Sequence, residues 1–228
     1  MVLAYEKGSS VERNCRTAAY WYLQAAHRAH PAAQNNLGVL YATGCGVDKS
    51  DQDAVKWYMR SAAAGFATAQ NNLGYAYENG RGVKQSDEAA VHWFRESAER
   101  HYGPALANLA AHYQSGRGVE KSESEAERLE RLAAEQGLAP AEAVLGRMYL
   151  TGWHVAKDLE QAVRGLGRAA DHGNAEAPNV LGELHERGLG VPQNRSEAQR
   201  WYEKAATAGS LPAQKNLARL KANDTPVQ

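Results

Sequence analysis

Leu73-Gly74-Tyr75-Ala76-Tyr77-Glu78-Asn79-Gly80-Arg81-Gly82-Val83 joins a helical apolar spacing to a Gly-x-Gly-Val break. Thirty-six residues earlier the chain reads Leu37, Gly38, Tyr41, Gly44, Gly46 and Val47; thirty-six later it reads Leu109, Ala110, Tyr113, Gly116, Gly118 and Val119. The register runs on through Leu145, Gly146, Tyr149, Gly152 and Val155, then Leu181, Gly182, Gly188, Gly190 and Val191, and ends after Leu217-Ala218. A fixed period of this length marks a repeat array whose modules pack on their neighbours. The 228 residues are therefore expected to form one elongated solenoid domain. Residues 1–36 make a partial first repeat, 37–72, 73–108, 109–144, 145–180 and 181–216 the full repeats, and 217–228 a capping helix and polar tail.

Each module reads as two helices. Ala33-Leu37-Tyr41, Ala69-Leu73-Tyr77 and Ala105-Leu109-Tyr113 keep a spacing of four, which puts them on one buried face. Glycine in the middle of such a helix costs about 1 kcal/mol against alanine. Its recurrence at Gly38, Gly74, Gly146 and Gly182 points to close helix–helix approach. The first helix stops at Gly44, Gly80, Gly116, Gly152 and Gly188, since glycine accepts the left-handed conformation of a helix end. Ser50, Ser86, Ser122, Asp158 and Asn194 then share one register as N-caps, and Asn14 extends it backwards. The second helix buries Ala54, Trp57, Tyr58, Ser61 and Ala62, or Ala198, Trp201, Tyr202, Ala205 and Ala206.

Composition excludes several function classes. Lys plus Arg and Asp plus Glu are both 26, so the net charge is zero and nucleic-acid binding lacks its electrostatic footprint. No run approaches the ~18 apolar residues of a membrane span. The N-terminus does not read as a secretory leader, although Met1 falls on the leucine column and the first helix lacks its opening turn. The compartment therefore stays open: cytoplasmic as the sequence stands, periplasmic or secreted if an upstream leader has been removed. Cys15 and Cys45 are too few for a disulfide framework and read first as free thiols, with a single bridge between adjacent modules as the alternative.

The pattern A-x-x-x-L-G-x-x-Y-x-x-G-x-G-V followed by W-Y-x-x-A-A-x-x-G, from Tyr5 to about Leu220, resembles the Sel-one-like repeat family, a longer cousin of the tetratricopeptide repeat. The resemblance implies an all-α, right-handed α/α superhelical solenoid of about six helix–turn–helix repeats. First helices would line a concave surface and second helices the outer wall. It also implies service as a protein-interaction scaffold, with no shared catalytic residues to carry over. Some cysteine-rich members are linked to β-lactam binding or hydrolysis, but their repeated cysteine pairs are absent here.

The function expected is thus a non-enzymatic adaptor, without cofactor, that holds a protein or peptide partner on a rigid groove and is itself monomeric. The alternatives are an immunity protein that neutralises a cognate bacterial effector and, against the missing cysteines, a β-lactam-active enzyme. Positions off the Ala-Leu-Tyr stripe supply the candidate partner-binding residues: Asn36, Val39, Asn72, Tyr75, Asn108, Arg147 and Glu183. The ladder Asn36-Asn72-Asn108 has two readings, hydrogen bonding to an extended peptide or to neighbouring helices. Tyr75 and Asn72 are expected to be removable at little cost to the fold.

Trp21, Trp57, Trp93 and Trp201 share one core column, whereas Trp153-His154 replaces the usual loop residues and Gly165-Leu166 the usual aromatic pair. Either the Trp153 ring folds into the space vacated at Gly165, or Trp153 and His154 form an exposed loop anchor. The eight histidines show no metal-ligand spacing, so no metal site is expected. Glu120, Glu123, Glu125, Glu127, Glu130 and Glu135 read as a solvated face, ion-paired through Arg128 and Arg131.

Overall fold

The computed structural model describes residues 14–153 and 155–222. All regular structure among them is helical, in twelve helices. They are α1 Cys15–His27, α2 Pro31–Thr43, α3 Asp51–Ala63, α4 Ala67–Asn79, α5 Asp87–Ala98, α6 Gly103–Ser115, α7 Glu123–Glu135, α8 Ala139–Thr151, α9 Leu159–Asp171, α10 Ala177–Arg187, α11 Arg195–Thr207 and α12 Leu211–Ala222. The chain gathers into two compact units, one ending at Ser122 and the other beginning at Glu123. Within each unit, consecutive helices pack side by side.

The cap residues do what their register predicts. Asn14, Ser50, Ser86, Asp158 and Asn194 each accept a backbone N–H from three residues on, satisfying a donor that the first turn leaves without a partner. At the other end of the first helices, Gly44, Gly80, Gly116, Gly152 and Gly188 are all left-handed. The mid-helix glycines mark close approach. A Cβ built on Gly74 would lie 2.6 Å from the Phe94 ring, and one on Gly182 would lie 2.5 Å from the Tyr202 ring. The glycine column is thus the socket for the aromatic column of the following helix.

In the first unit, Ala54, Val55, Tyr58, Ala62, Ala69, Leu73 and Ala76 form one apolar cluster, with Trp93 packed on its edge. Buried polar groups tie module to module. Ser61 and Ser97, both fully buried, donate to the carbonyls of Pro31 and Ala67 at 2.7 Å. Gln34 and Gln70 donate to Ala26 and Ala62, carbonyls at the ends of α1 and α3. In the second unit the equivalent position is Glu142, 1% exposed, which meets His172 Nδ1 at 2.7 Å and Arg168 Nε at 3.2 Å. A buried carboxylate is tolerated there because the Arg168 guanidinium and the His172 ring both reach it.

Cys15 and Cys45 form a disulfide, with Cα atoms 5.3 Å apart, so the reading as free thiols is corrected. The reason lies in the repeat. Each Gly-x-Gly loop folds onto the start of the preceding second helix, and a Cβ on Gly82 would lie 2.2 Å from the carbonyl oxygen of Asp51. With positive φ as well, that position accepts only glycine. The loop thus brings the residue between the glycines to the residue thirty earlier in three modules. Asp51 pairs with Arg81 at 2.9 Å and Asp87 with Arg117 at 2.7 Å. Cys15 and Cys45 occupy the same places one module before.

Candidate functional site

Tyr75 projects from α4 in the first unit and is 46% exposed. Its ring stands edge-on to Phe94 at 5.7 Å between centroids, and its hydroxyl donates to Asn108 Oδ1 at 3.2 Å. The Phe94 ring fills the Gly74 socket, so the residue beside that glycine is held from below while its outer face stays in water. Beside Tyr75 opens a cavity of about 380 Å³. Buried Ala54, Val55, Tyr58 and Ala76 give it an apolar floor, and Asn72, Asn79 and the Asp51–Arg81 ion pair rim it. Burial pushes the Tyr58 phenol up to about 12, against the pull of Arg81, so its hydroxyl stays protonated at neutral pH.

The asparagines do not form a simple Asn36-Asn72-Asn108 ladder. Asn72 donates to Asn35 Oδ1 at 3.0 Å and Asn108 to Asn71 Oδ1 at 2.9 Å, while Asn35 donates to Asn36 at 3.1 Å. Asn35 and Asn71 are buried. Each first helix therefore buries a second face, at Gln34-Asn35 or Gln70-Asn71, besides the Ala-Leu-Tyr stripe. A stripe of period four could not report this, because it follows one contact surface while these helices have two. Truncation of Asn72 would leave a buried oxygen unpaired, so the expectation that it is removable at little cost is revised. Val39 is half-buried against the apolar cluster of the first unit.

In the second unit, Arg147 is exposed and pairs with Glu176 at 2.8 Å. Glu183 accepts from Asn179 at 3.0 Å and from Asn216 at 3.4 Å. Trp153 is 45% exposed, and its backbone N–H donates to the Met148 carbonyl at 3.2 Å. A notch of about 300 Å³ remains beside Gly165, and Trp153 is not among the residues that wall it. The ring therefore does not refill that space. His154 lies outside the described residues.

Two further readings are corrected. Trp21, expected in the core, is 47% exposed, and its ring stands edge-on to Tyr20 at 5.3 Å between centroids. Glu130, expected on a solvated face, is 4% exposed, and its Oε2 has no hydrogen-bond partner. Burial pushes its carboxyl up to about 7. Its register gives the reason: Glu130 stands in the column of Tyr58, Phe94, Leu166 and Tyr202. Among the described residues, no group of three or more His, Cys, Asp and Glu is arranged to hold a metal ion. No described helix is long and apolar enough to cross a membrane.

Stacked two-helix modules whose glycine sockets receive the aromatic column of the following helix define a helical-repeat protein. The chain belongs to the Sel1 repeat family, whose repeats match residues 2–30, 31–66, 67–102, 103–138, 139–174 and 175–210. Sel1 repeat proteins generally mediate protein–protein interaction, on a scaffold that is typically non-enzymatic. Among solved structures, the chain is similar to a Sel1 repeat protein of Oxalobacter formigenes, at 35% identity and a TM-score of 0.88 over 96% of its length. It is also similar to a protective antigen of uropathogenic Escherichia coli, at 30% identity and a TM-score of 0.64 over 98% of its length. The chain spans 63% of the former protein and 56% of the latter. An immunity protein of Pseudomonas aeruginosa shares the fold at 21% identity, with a TM-score of 0.60 over 93% of this chain and 83% of that one. No curated protein matches the sequence.

Proposed function

We propose that this chain is a protein-binding adaptor whose first unit grips a partner segment at the cavity beside Tyr75. The carrying observation is the cavity itself: a buried apolar floor, a half-exposed tyrosine fixed from below, and amide and ionic groups at the rim. Tyrosine in such a place supplies large contact area at low entropic cost, because only two torsions must be fixed. Its ring is already held by Phe94 and Asn108, so part of that cost falls on folding and not on association. Asn79 and the Arg81–Asp51 pair suit the backbone and charged side chains of an extended peptide, with an apolar side chain on the floor. Asn36, Val39 and Asn108 belong to the same unit and support this surface from the neighbouring helices. Arg147, Glu183 and Trp153 extend the proposed binding role to the second unit.

A photo-crosslinking residue placed at Tyr75 and expressed in the source organism tests this reading. The expected result is one protein crosslinked at Tyr75 and not from a control position on the far side of α5, such as Glu96. Equal capture from both positions would remove Tyr75 from the interface. The immunity-protein reading rests on fold likeness at 21% identity and no feature of this site favours it.

A further inference from the structure

In the second unit the aromatic column of the repeat is interrupted beside a notch in the surface. In the second helix of successive modules one column reads Trp21, Trp57, Trp93, Leu129, Gly165 and Trp201. Where the ring is present and covered, it lies against the second helix of the module before. Trp57 packs on Ala18, Ala19 and Tyr22 of α1, and Trp201 on the cluster that holds Leu166, Ala169 and Ala170 of α9. A cation three residues further on covers it: the Arg60 guanidinium lies 4.5 Å from the Trp57 ring centroid, and Lys204 Nζ lies 5.0 Å from that of Trp201. In the Leu129 module the column is filled by an aliphatic side chain, buried at 3% exposure. At Gly165 the column has no side chain, and α8 stands close against it: a Cβ built there would lie 3.1 Å from the Cα of Gly146.

Beside that contact a notch remains between α8 and α9 of the same module. Leu145 and Tyr149 of α8 form the apolar wall, and Gln161, Arg164 and Arg168 of α9 the rim, around about 300 Å³. Arg168 follows Gly165 by three residues, the place that Arg60 and Lys204 take over their own tryptophans. Its Nε is held at 3.2 Å by the buried carboxylate of Glu142, which fixes the guanidinium at the mouth. Arg164 is steadied by Gln161 at 3.4 Å and Glu160 at 3.7 Å. A guanidinium at the mouth favours the electron-rich face of a ring over an aliphatic chain of equal size. The volume is at the small end of ligand pockets, roughly 300–1,000 Å³, and suits a single anchoring side chain. Trp153, the nearest candidate in sequence, does not wall the notch.

We propose that this notch accepts a tryptophan side chain from a partner protein, which completes the column in trans beneath Arg168. The site is separate from the Tyr75 cavity in residues and in unit, so the two readings stand or fall apart.

The experiment follows backbone amide and arginine side-chain signals of the ¹⁵N-labelled chain by NMR, with N-acetyl-tryptophanamide as the probe of a residue within a polypeptide. Saturable shifts are expected at Gly165, Leu166 and Arg168 Nε–H, with N-acetyl-leucinamide binding several-fold more weakly. Gly165→Trp puts a ring at the notch from within, with the Gly146 backbone giving way by a few tenths of an ångström, and it is expected to weaken probe binding by about tenfold or more. Should that variant not fold, Arg168→Gln carries the same test, since it keeps a donor for Glu142 while removing the cation. It is expected to weaken the tryptophan probe and leave the leucine probe unchanged. The absence of saturable shifts at these residues, equal losses of both probes in Arg168→Gln, or undiminished binding by a folded Gly165→Trp would overturn the proposal. So would free tryptophan binding more tightly than its blocked amide, because the notch would then serve a small metabolite.

Discussion

Glu130 shows how a single residue can carry the pH dependence of this fold. Its carboxyl is pushed up to about 7 by burial, so the folded chain holds a proton that the unfolded chain releases nearer 4.5. The stability tied to the neutral form is full below the ordinary carboxyl range and falls as pH rises through about 7, by about 3 kcal/mol in all. Glu130→Gln should therefore unfold at higher denaturant than the parent at about pH 8 and at nearly the same denaturant at about pH 4. A gap that does not change with pH would show that the carboxyl stays ionised in the fold. Tyr75 and Asn72 separate in the same kind of measurement. Tyr75→Ala should cost less than about 1 kcal/mol, as exposed positions do. Asn72→Ala should cost about 1–3 kcal/mol, because it strands the Asn35 oxygen. The exposure of Tyr75 was legible from its place off the stripe. The burial of Glu130 was equally present in the register, but its charge and its acidic neighbours suggested a solvated face. Where column and charge disagree, the column decides, because neighbouring modules fix the depth of a position before its side chain is chosen.

At the scale of elements, the glycine socket follows from close helix–helix approach and the thirty-residue staple from the Gly-x-Gly loop. Gly74→Leu must displace the Phe94 ring, since even a Cβ there falls at 2.6 Å. Overpacking of this kind costs about 1–3 kcal/mol or more, and circular dichroism melts should show a large loss of stability for that variant. A Gly74→Leu chain that melts like the parent would refute the close-packing argument. The staple was harder to read. A spacing of thirty between two cysteines means little alone. It gains meaning when Asp51–Arg81 and Asp87–Arg117 show the loop residue meeting the residue at the preceding second-helix start in the next two modules. Both pairs were visible as sequence, yet nothing in the composition aligned a covalent bond with two ion pairs. Their contributions differ in size. The bridge closes a loop of about thirty residues and should contribute about 3 kcal/mol, whereas exposed ion pairs contribute about 0–1 kcal/mol. Reduction, or Cys15→Ser, should therefore lower the denaturant midpoint well beyond the effect of Asp51→Ala. Equal effects would mean that the bridge constrains the unfolded chain no more than a salt bridge does.

For the molecule as a whole, the period of thirty-six established an all-helical array because every module states the same columns. The family match over residues 2–210 agrees with it. The binding residues were less legible, since a repeat array announces what its modules share while a partner reads what they do not. Tyr75, the Gly165 notch and the Trp153 loop are all departures from the consensus, and only the packing shows which departures leave a surface. The central claim is that the Tyr75 cavity is where a protein partner docks. Quantitative affinity purification from the source organism, with parent and Tyr75→Ala chains side by side and melting temperatures measured on both, tests it most directly. The account predicts one partner enriched by the parent and reduced at least about tenfold by Tyr75→Ala, the loss expected when a hot-spot side chain is truncated, with the two melting curves nearly superposed. Equal enrichment by a folded Tyr75→Ala chain would contradict it.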